Sequence, residues 1–293
     1  MLSMDSVAVK HHQEDNLESR SEYATGTFFQ LRTLIERLVV KTIKQPKTTF
    51  AGCLRNVIIG TFLGSIYYKQ PTGTDSSSYT NRMALIFFSL LANFVSHQEV
   101  IPIMFHDRLL FYRERGAKAY GALPYWISSW IIRIPLCAIN SALFCACVYN
   151  LTGLRAGGFS FFYLIITFHS FTSSFLCQFV ANINPSAATA ISNMSMFLFM
   201  NIMFAGYIIF IDDMAEFLGT WAPFVSFYRY SFQALVRNEF DDNSDLPLGS
   251  VYVDNMGFDS LDKETCFSIL LVMLLFYATS GFLALRFINF EER

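Results

Sequence analysis

Residues 122–151 read ALPYWISSWIIRIPLCAINSALFCACVYNL, a run broken by a single charge at Arg133. An amphipathic helix confines its apolar residues to one stripe, but here they occupy every side, so the whole helix surface has to leave water. Crossing a bilayer takes about 20 mostly apolar residues, because each backbone N–H and C=O must be bonded inside a segment that water does not reach. Working outward, five more stretches meet this test: Thr49–Tyr68, Met83–Phe105, Phe159–Ile183, Ala187–Ile211 and Cys266–Phe287. The 293 residues are 53% hydrophobic and 15% charged, and the blockwise separation of the two kinds marks a membrane chain. The fold class expected is all-α and integral to the membrane, with six transmembrane helices.

Basic residues set the orientation, because short cytoplasmic loops collect Lys and Arg. Arg32, Arg37, Lys41, Lys44 and Lys47 precede the first span, and Arg108, Arg113, Arg115 and Lys118 lie between the second and third. Both regions are expected in the cytoplasm. The loop with Lys69, Asp75 and Arg82, the loop with Arg155, and the acidic stretch with Asp241, Asp242, Asp245, Asp254 and Asp259 are expected outside. Six spans then bring both termini to the cytoplasm, in a multi-pass protein of the plasma membrane or an internal membrane.

Residues 1–25 are polar and lack the apolar core of a signal peptide, so they are expected to form a flexible cytoplasmic linker. Over residues 26–46, Phe28, Leu31, Leu34, Ile35 and Leu38 recur at helical spacing while Arg32, Glu36, Arg37, Lys41 and Lys44 lie largely off that stripe. The pattern suits an amphipathic interfacial helix on the inner leaflet, or else a solvated helix of a small soluble domain. Arg55, inside the first span, either snorkels to the inner interface or binds substrate. Gly60 and Gly64 permit close helix approach, although such pairs also arise in spans by chance. Arg133, between Pro124 and Pro135, must find a partner at membrane depth, either a carboxylate such as Glu99 or Asp107 or a group in a transport pathway. Asn150-Leu151-Thr152 is a glycosylation sequon on the expected outer side. Ile211–Phe224 is too short and too polar to cross again and reads as re-entrant, a form that survives at membrane depth when packed in protein or lining a wet cavity.

Chemistry-bearing motifs are few. Gly116-Ala117-Lys118-Ala119-Tyr120-Gly121 has the glycine spacing of a phosphate loop but is followed by Ala122-Leu123 where Lys and Ser or Thr are required. No nucleophile elbow, zinc-protease helix or close pair of intramembrane carboxylates occurs. No catalytic residue, metal site or nucleic-acid partner is expected. Cys53, Cys137, Cys145, Cys147, Cys177 and Cys266 read as small apolar residues, and His11–His12 lie in the polar tail.

Two stretches resemble a known family. Phe111-Tyr112-Arg113-Glu114-Arg115, followed by Tyr120 and Ala122-Leu123-Pro124-Tyr125, resembles the intracellular loop of the G subfamily of ABC transporters. Phe227-Tyr228-Arg229-Tyr230-Ser231-Phe232-Gln233-Ala234-Leu235-Val236-Arg237-Asn238-Glu239-Phe240 is similar to the same family's re-entrant outer segment. The resemblance runs from about Thr25 to the C-terminus. It implies that residues 47–293 form the six-helix membrane domain of a type-2 exporter, joined to a second membrane half in a homo- or heterodimer. The chain itself holds no cofactor on this view, and ATP and Mg are bound by a partner nucleotide-binding domain. Surrounding partners are membrane lipids.

By position, the resemblance places a substrate cavity at Ala92, Phe94 and Val95 on the second span and Ser195, Leu198, Phe199 and Ile202 on the fifth. Each of these equally suits lipid exposure or core packing. Tyr207 and Ile208 match an apolar gate above the cavity. Asp107, Arg108, Glu114 and Arg115 are candidate contacts to the nucleotide-binding partner, against ordinary inner-loop charge. Three features depart from the family: the ATP-binding half is missing, position 133 is Arg where relatives often have an acid, and Val95 stands where some drug exporters have a stacking Phe. The function implied is export or translocation of lipids or other amphipathic molecules. The alternatives are a dimerising or regulatory subunit without transport, a truncated fragment of a half-transporter, and an ion-coupled carrier, which lacks its intramembrane carboxylates.

Overall fold

The computed structural model describes residues 23, 25–44, 46–241, 243–258 and 260–290. The expected linker, save Tyr23 and Thr25, lies outside the described residues, as do His11, His12, Asp242, Asp259 and Arg293.

All regular structure among the described residues is helical. The long helices are α1 (Thr27–Lys44), α2 (Pro46–Ile66), α3 (Ser76–Ser96), α4 (Val100–Gly116), α5 (Ala122–Thr152), α6 (Phe159–Ile183), α7 (Ala187–Met203), α8 (Phe227–Phe240) and α9 (Lys263–Phe287). Among the described residues, five helical runs are long and apolar enough to cross a membrane: α2, the α3–α4 run Ser76–Gly116, α5, α6 and α9. Helix α7 is apolar too but has 17 residues.

Two elements differ from the sequence reading. The expected span Ala187–Ile211 stops being helical at Met203, and the chain turns through Gly206, whose φ is +84°. A Cβ there would fall 2.9 Å from the Phe258 ring, so the turn needs glycine for both its backbone and its packing. The span expected at Met83–Phe105 begins earlier, at Ser76, because Asp75 caps it by accepting from Ser77 N at 3.3 Å. It also changes pitch through a 3₁₀ turn at His97–Glu99 before continuing as α4.

Helix α6 is the central post, packed against α3, α4, α5, α8 and α9. From Thr167 to Asn182 its Ser, Thr, His, Gln and Asn side chains are buried, together with Phe171 and Phe175. Helix α2 lies along α5 through its small residues. A Cβ on Gly60 would come 3.0 Å from Phe144 O, and one on Gly64 would come 2.8 Å from the Leu151 side chain. The Gly60/Gly64 pair is therefore where two backbones meet, the use such spacing has between membrane helices. Two apolar clusters fill the bundle. One, which we call distal, gathers Tyr79, Phe87, Val148, Phe162, Phe232 and Phe240. The other, proximal and next to α1, gathers Leu34, Phe111, Trp126, Trp130, Phe175 and Leu285.

Candidate functional site

The distal end is closed by one buried ion pair. Arg82 and Glu239 have side chains 2% and 3% exposed and are bonded to each other. Burying two charges is costly unless every lone pair and proton finds a partner, and here nearly all do. Arg82 also donates to Gly153 O at 3.2 Å and Gln70 O at 3.1 Å, while Glu239 accepts from Arg155 N at 3.0 Å. The next residue back, Asn238, donates to Gly158 O at 3.1 Å, and Gly158 leaves no room for a Cβ beside that amide. Gln233 donates to Phe258 O and Leu261 O at 3.0 and 3.1 Å. Helix α8 thereby fastens the loops after α2, α5 and α8 to the start of α3.

A polar core lies below this clamp. His169 Nδ1 is 3.0 Å from Ser231 Oγ, Ser170 Oγ donates to Asn93 Oδ1 at 3.4 Å, and Ser141 Oγ donates to Ser170 Oγ at 3.3 Å. These contacts cross-link α3, α5, α6 and α8 within an apolar bundle, where a hydrogen bond also fixes register.

At the proximal end the four expected coupling residues all lie on α4, and each is engaged within the chain. Glu114 accepts Arg37 Nη1 at 2.8 and 2.9 Å and Tyr120 Oη at 2.6 Å. Burial, with the Glu114 carboxylate beside it, holds the Tyr120 phenol well above its ordinary pKa, so it remains the donor. Asp107 accepts Lys41 Nζ at 2.9 Å, with His106 Nδ1 at 3.2 Å. Arg108 donates to Asn184 O at 2.8 Å and Pro185 O at 2.9 Å, its guanidinium 4.1 Å from the Phe105 ring centroid. Arg115 donates to Arg286 O at 3.2 Å. The acids thus hold α1, and the arginines cap the turn after α6 and the end of α9, a use of cations at helix C-termini that satisfies open carbonyls. Left exposed on the same surface are Leu109, Leu110, Arg113 and Lys118.

Arg55 on α2 pairs with Glu99, donating from Nη1 and, at 3.2 Å, from Nη2. The carboxylates expected for Arg133 are therefore already occupied, Glu99 by Arg55 and Asp107 by Lys41. Arg133 has no hydrogen bond or ion pair among the described residues.

The residues placed in a cavity by resemblance divide in two. Phe94 is fully buried against Phe227 at 5.9 Å, within the proximal core. Val95, Ser195 and Phe199 are exposed on the single chain, the last at 60%, while Ala92, Leu198 and Ile202 are half-buried. Tyr207 is half-buried, stacked on Phe87 at 4.6 Å, and Ile208 is exposed.

Sequence reasoning missed the clamp and the polar core. It assigned Arg82 to a loop, although Asp75-Ser76-Ser77 is a helix-start signal that extends α3 back to it. For the polar core the signal was His169-Ser170 and Ser173-Ser174 inside an apolar run, since polar side chains in a span face protein and not lipid.

A helical bundle of membrane-length runs, with a polar centre and a charge network at each end, is the architecture of a multi-pass membrane domain. The chain belongs to the ABC-2 type transporter family, whose family model matches residues 29–240. It is similar to ABC transporter G family member 19 of Arabidopsis thaliana, 25% identical over 234 residues that make up 78% of this chain and 31% of the relative. Similarity extends to ABC transporter G family member 24 of Dictyostelium discoideum (24% identical, 93% of this chain, 24% of the relative). It reaches Multidrug resistance protein CDR2 of Candida albicans as well (24% identical, 86% of this chain, 17% of the relative). The chain thus spans less than a third of the length of these relatives.

Proposed function

We propose that this chain is the membrane-spanning permease half of an ATP-driven exporter that moves lipids or other amphipathic molecules. On this reading a nucleotide-binding domain holding ATP and Mg drives it from the proximal side. The observation that carries the reading is the set of ties on α4. Arg37–Glu114 and Lys41–Asp107 tie it to α1, and Arg108 and Arg115 tie it to the α6–α7 turn and the end of α9. A push on α4 is passed to three other elements at once, which is what coupling to a motor requires. Direct contact with the motor falls to the exposed Leu109, Leu110, Arg113 and Lys118, and the four coupling residues act behind them by distributing the load.

The proximal end is then cytoplasmic, together with both termini, and α1 is the interfacial connecting helix. Helix α7 is the fifth of six spans, and Ile211–Phe224 with Phe227–Phe240 forms the re-entrant segment between the fifth and sixth. The exposed face with Val95, Ser195 and Phe199 meets a second membrane half, identical or different, to enclose the substrate path beneath Tyr207 and Ile208. A cavity of such apolar side chains without a dedicated charge suits amphipathic cargo.

The test is to purify the tagged chain from its native membrane in mild detergent and identify its companions. Co-purification of an ATP-binding protein, with ATPase activity that falls in Asp107→Ala and Glu114→Ala, is expected. A chain that purifies without such a companion and whose expression leaves efflux unchanged overturns the reading in favour of a regulatory subunit.

A further inference from the structure

Arg133 lies about 20 residues before Gly153 on α5, roughly 30 Å along the helix axis, and that distance matches the thickness of a hydrocarbon core. Gly153 O bonds to Arg82 in the distal clamp, so the clamp marks one membrane edge and Arg133 the other. On α5, Arg133 is partly exposed and lies on the side that carries Trp126, Trp130 and Cys137.

The charges at this level do not balance. Two guanidinium groups, Arg55 and Arg133, share the neighbourhood of one carboxylate, Glu99, which Arg55 takes with both terminal nitrogens. The second carboxylate within electrostatic range of Arg133 is Asp107, and Lys41 takes it. His97, also within range of both arginines, has its ring nitrogens against Asn93 O at 2.7 Å and Cys137 Sγ at 2.9 Å. Cys137, Tyr125 and Cys177 also lie within electrostatic range of Arg133, and none carries a charge that would balance it. A cation at a membrane edge finds its acceptors in protein, water or headgroups, and no acceptor comes from the described chain.

We propose that Arg133, supported by Arg55, binds the phosphate of an anionic lipid in the proximal leaflet. The inference goes beyond the transport reading and does not depend on a motor or a cargo. The guanidinium fork suits two phosphate oxygens, and the partial exposure of Arg133 leaves it open to them.

The experiment uses the full chain in nanodiscs of phosphatidylcholine with a minor share of phosphatidylserine, and measures by native mass spectrometry the phosphatidylserine that stays bound. The parent is expected to be enriched in phosphatidylserine, Arg133→Gln to retain about five-fold less, and Arg133→Lys to retain most of it. Glu99→Gln, which releases Arg55, is expected to raise retention and keeps the test decisive if Arg133→Gln does not fold. Asn150→Gln, exposed at the distal end of α5, is expected to leave retention unchanged. Inorganic phosphate that displaces the lipid with the same dependence on Arg133 supports the anion site and assigns it to a soluble anion, while failure to displace assigns it to lipid. Equal retention by the parent and Arg133→Gln, or no enrichment over phosphatidylcholine in the parent, overturns the proposal.

Discussion

The charge networks at the two ends of the bundle are built on opposite plans. The distal pair, Arg82–Glu239, is buried and surrounded by backbone groups that complete its hydrogen bonding. The proximal pairs, Arg37–Glu114 and Lys41–Asp107, have side chains 24 to 43% exposed. A buried pair has one satisfactory geometry, because breaking it strands a charge in a low dielectric. A solvated pair exchanges its partner for water at little cost. The distal end is consequently a fixed point, and the proximal end can rearrange without unfolding.

The contrast is easiest to break at the distal end. Glu239→Ala leaves Arg82 buried and uncompensated and is expected to destabilise by about 3–5 kcal/mol, read as a large fall in the thermal unfolding midpoint in detergent. A shift no larger than that of a surface variant would show that water reaches the pair. Gly64→Leu comes next, since a side chain there meets Leu151 at 2.8 Å; overpacking of this kind costs about 1–3 kcal/mol. Its measured midpoint should fall between those of Glu239→Ala and the proximal variants, and parent-like stability would mean that α2 is free to slide on α5.

Glu114→Gln and Asp107→Asn sharpen the comparison from the other side. Each removes a solvated pair and is expected to cost no more than ~1 kcal/mol, while ATPase stimulation in a complex with a nucleotide-binding partner falls. Destabilisation as great as that of Glu239→Ala would remove the distinction between the two ends. The smallest effect is expected for Arg113→Ala. Its side chain is exposed, so the midpoint should remain within about 0.5 kcal/mol of the parent while partner binding weakens.

The sequence was most legible where one physical demand acted alone. Water exclusion from the backbone requires length and apolarity, and α5, α6 and α9 could be placed from that. Reading failed where two demands met in one segment. Residues Ala187–Ile211 are apolar enough to continue as helix, but packing of Phe258 against Gly206 ends α7 at Met203 and turns the chain. Arg82 has the composition of a loop residue, and only a partner 157 positions away makes it a buried one. The four residues expected to couple were grouped by the likeness of their loop, yet Arg37 and Lys41, which pair with two of them, looked like ordinary charges on an amphipathic helix. A one-dimensional pattern shows which side chains have to be hidden or charged. It does not show which distant element will complete their bonds.

The length of α7 has a consequence for the surrounding bilayer. Seventeen residues rise about 26 Å, a few ångströms less than an average hydrocarbon core, whereas α5, α6 and α9 have length to spare. With α7 as the proposed fifth span, lipid meeting it directly would have to thin there, and such hydrophobic mismatch carries an elastic penalty for each ångström. Another protein surface against α7 removes that penalty, so membrane elasticity by itself favours shielding this side of the molecule from lipid.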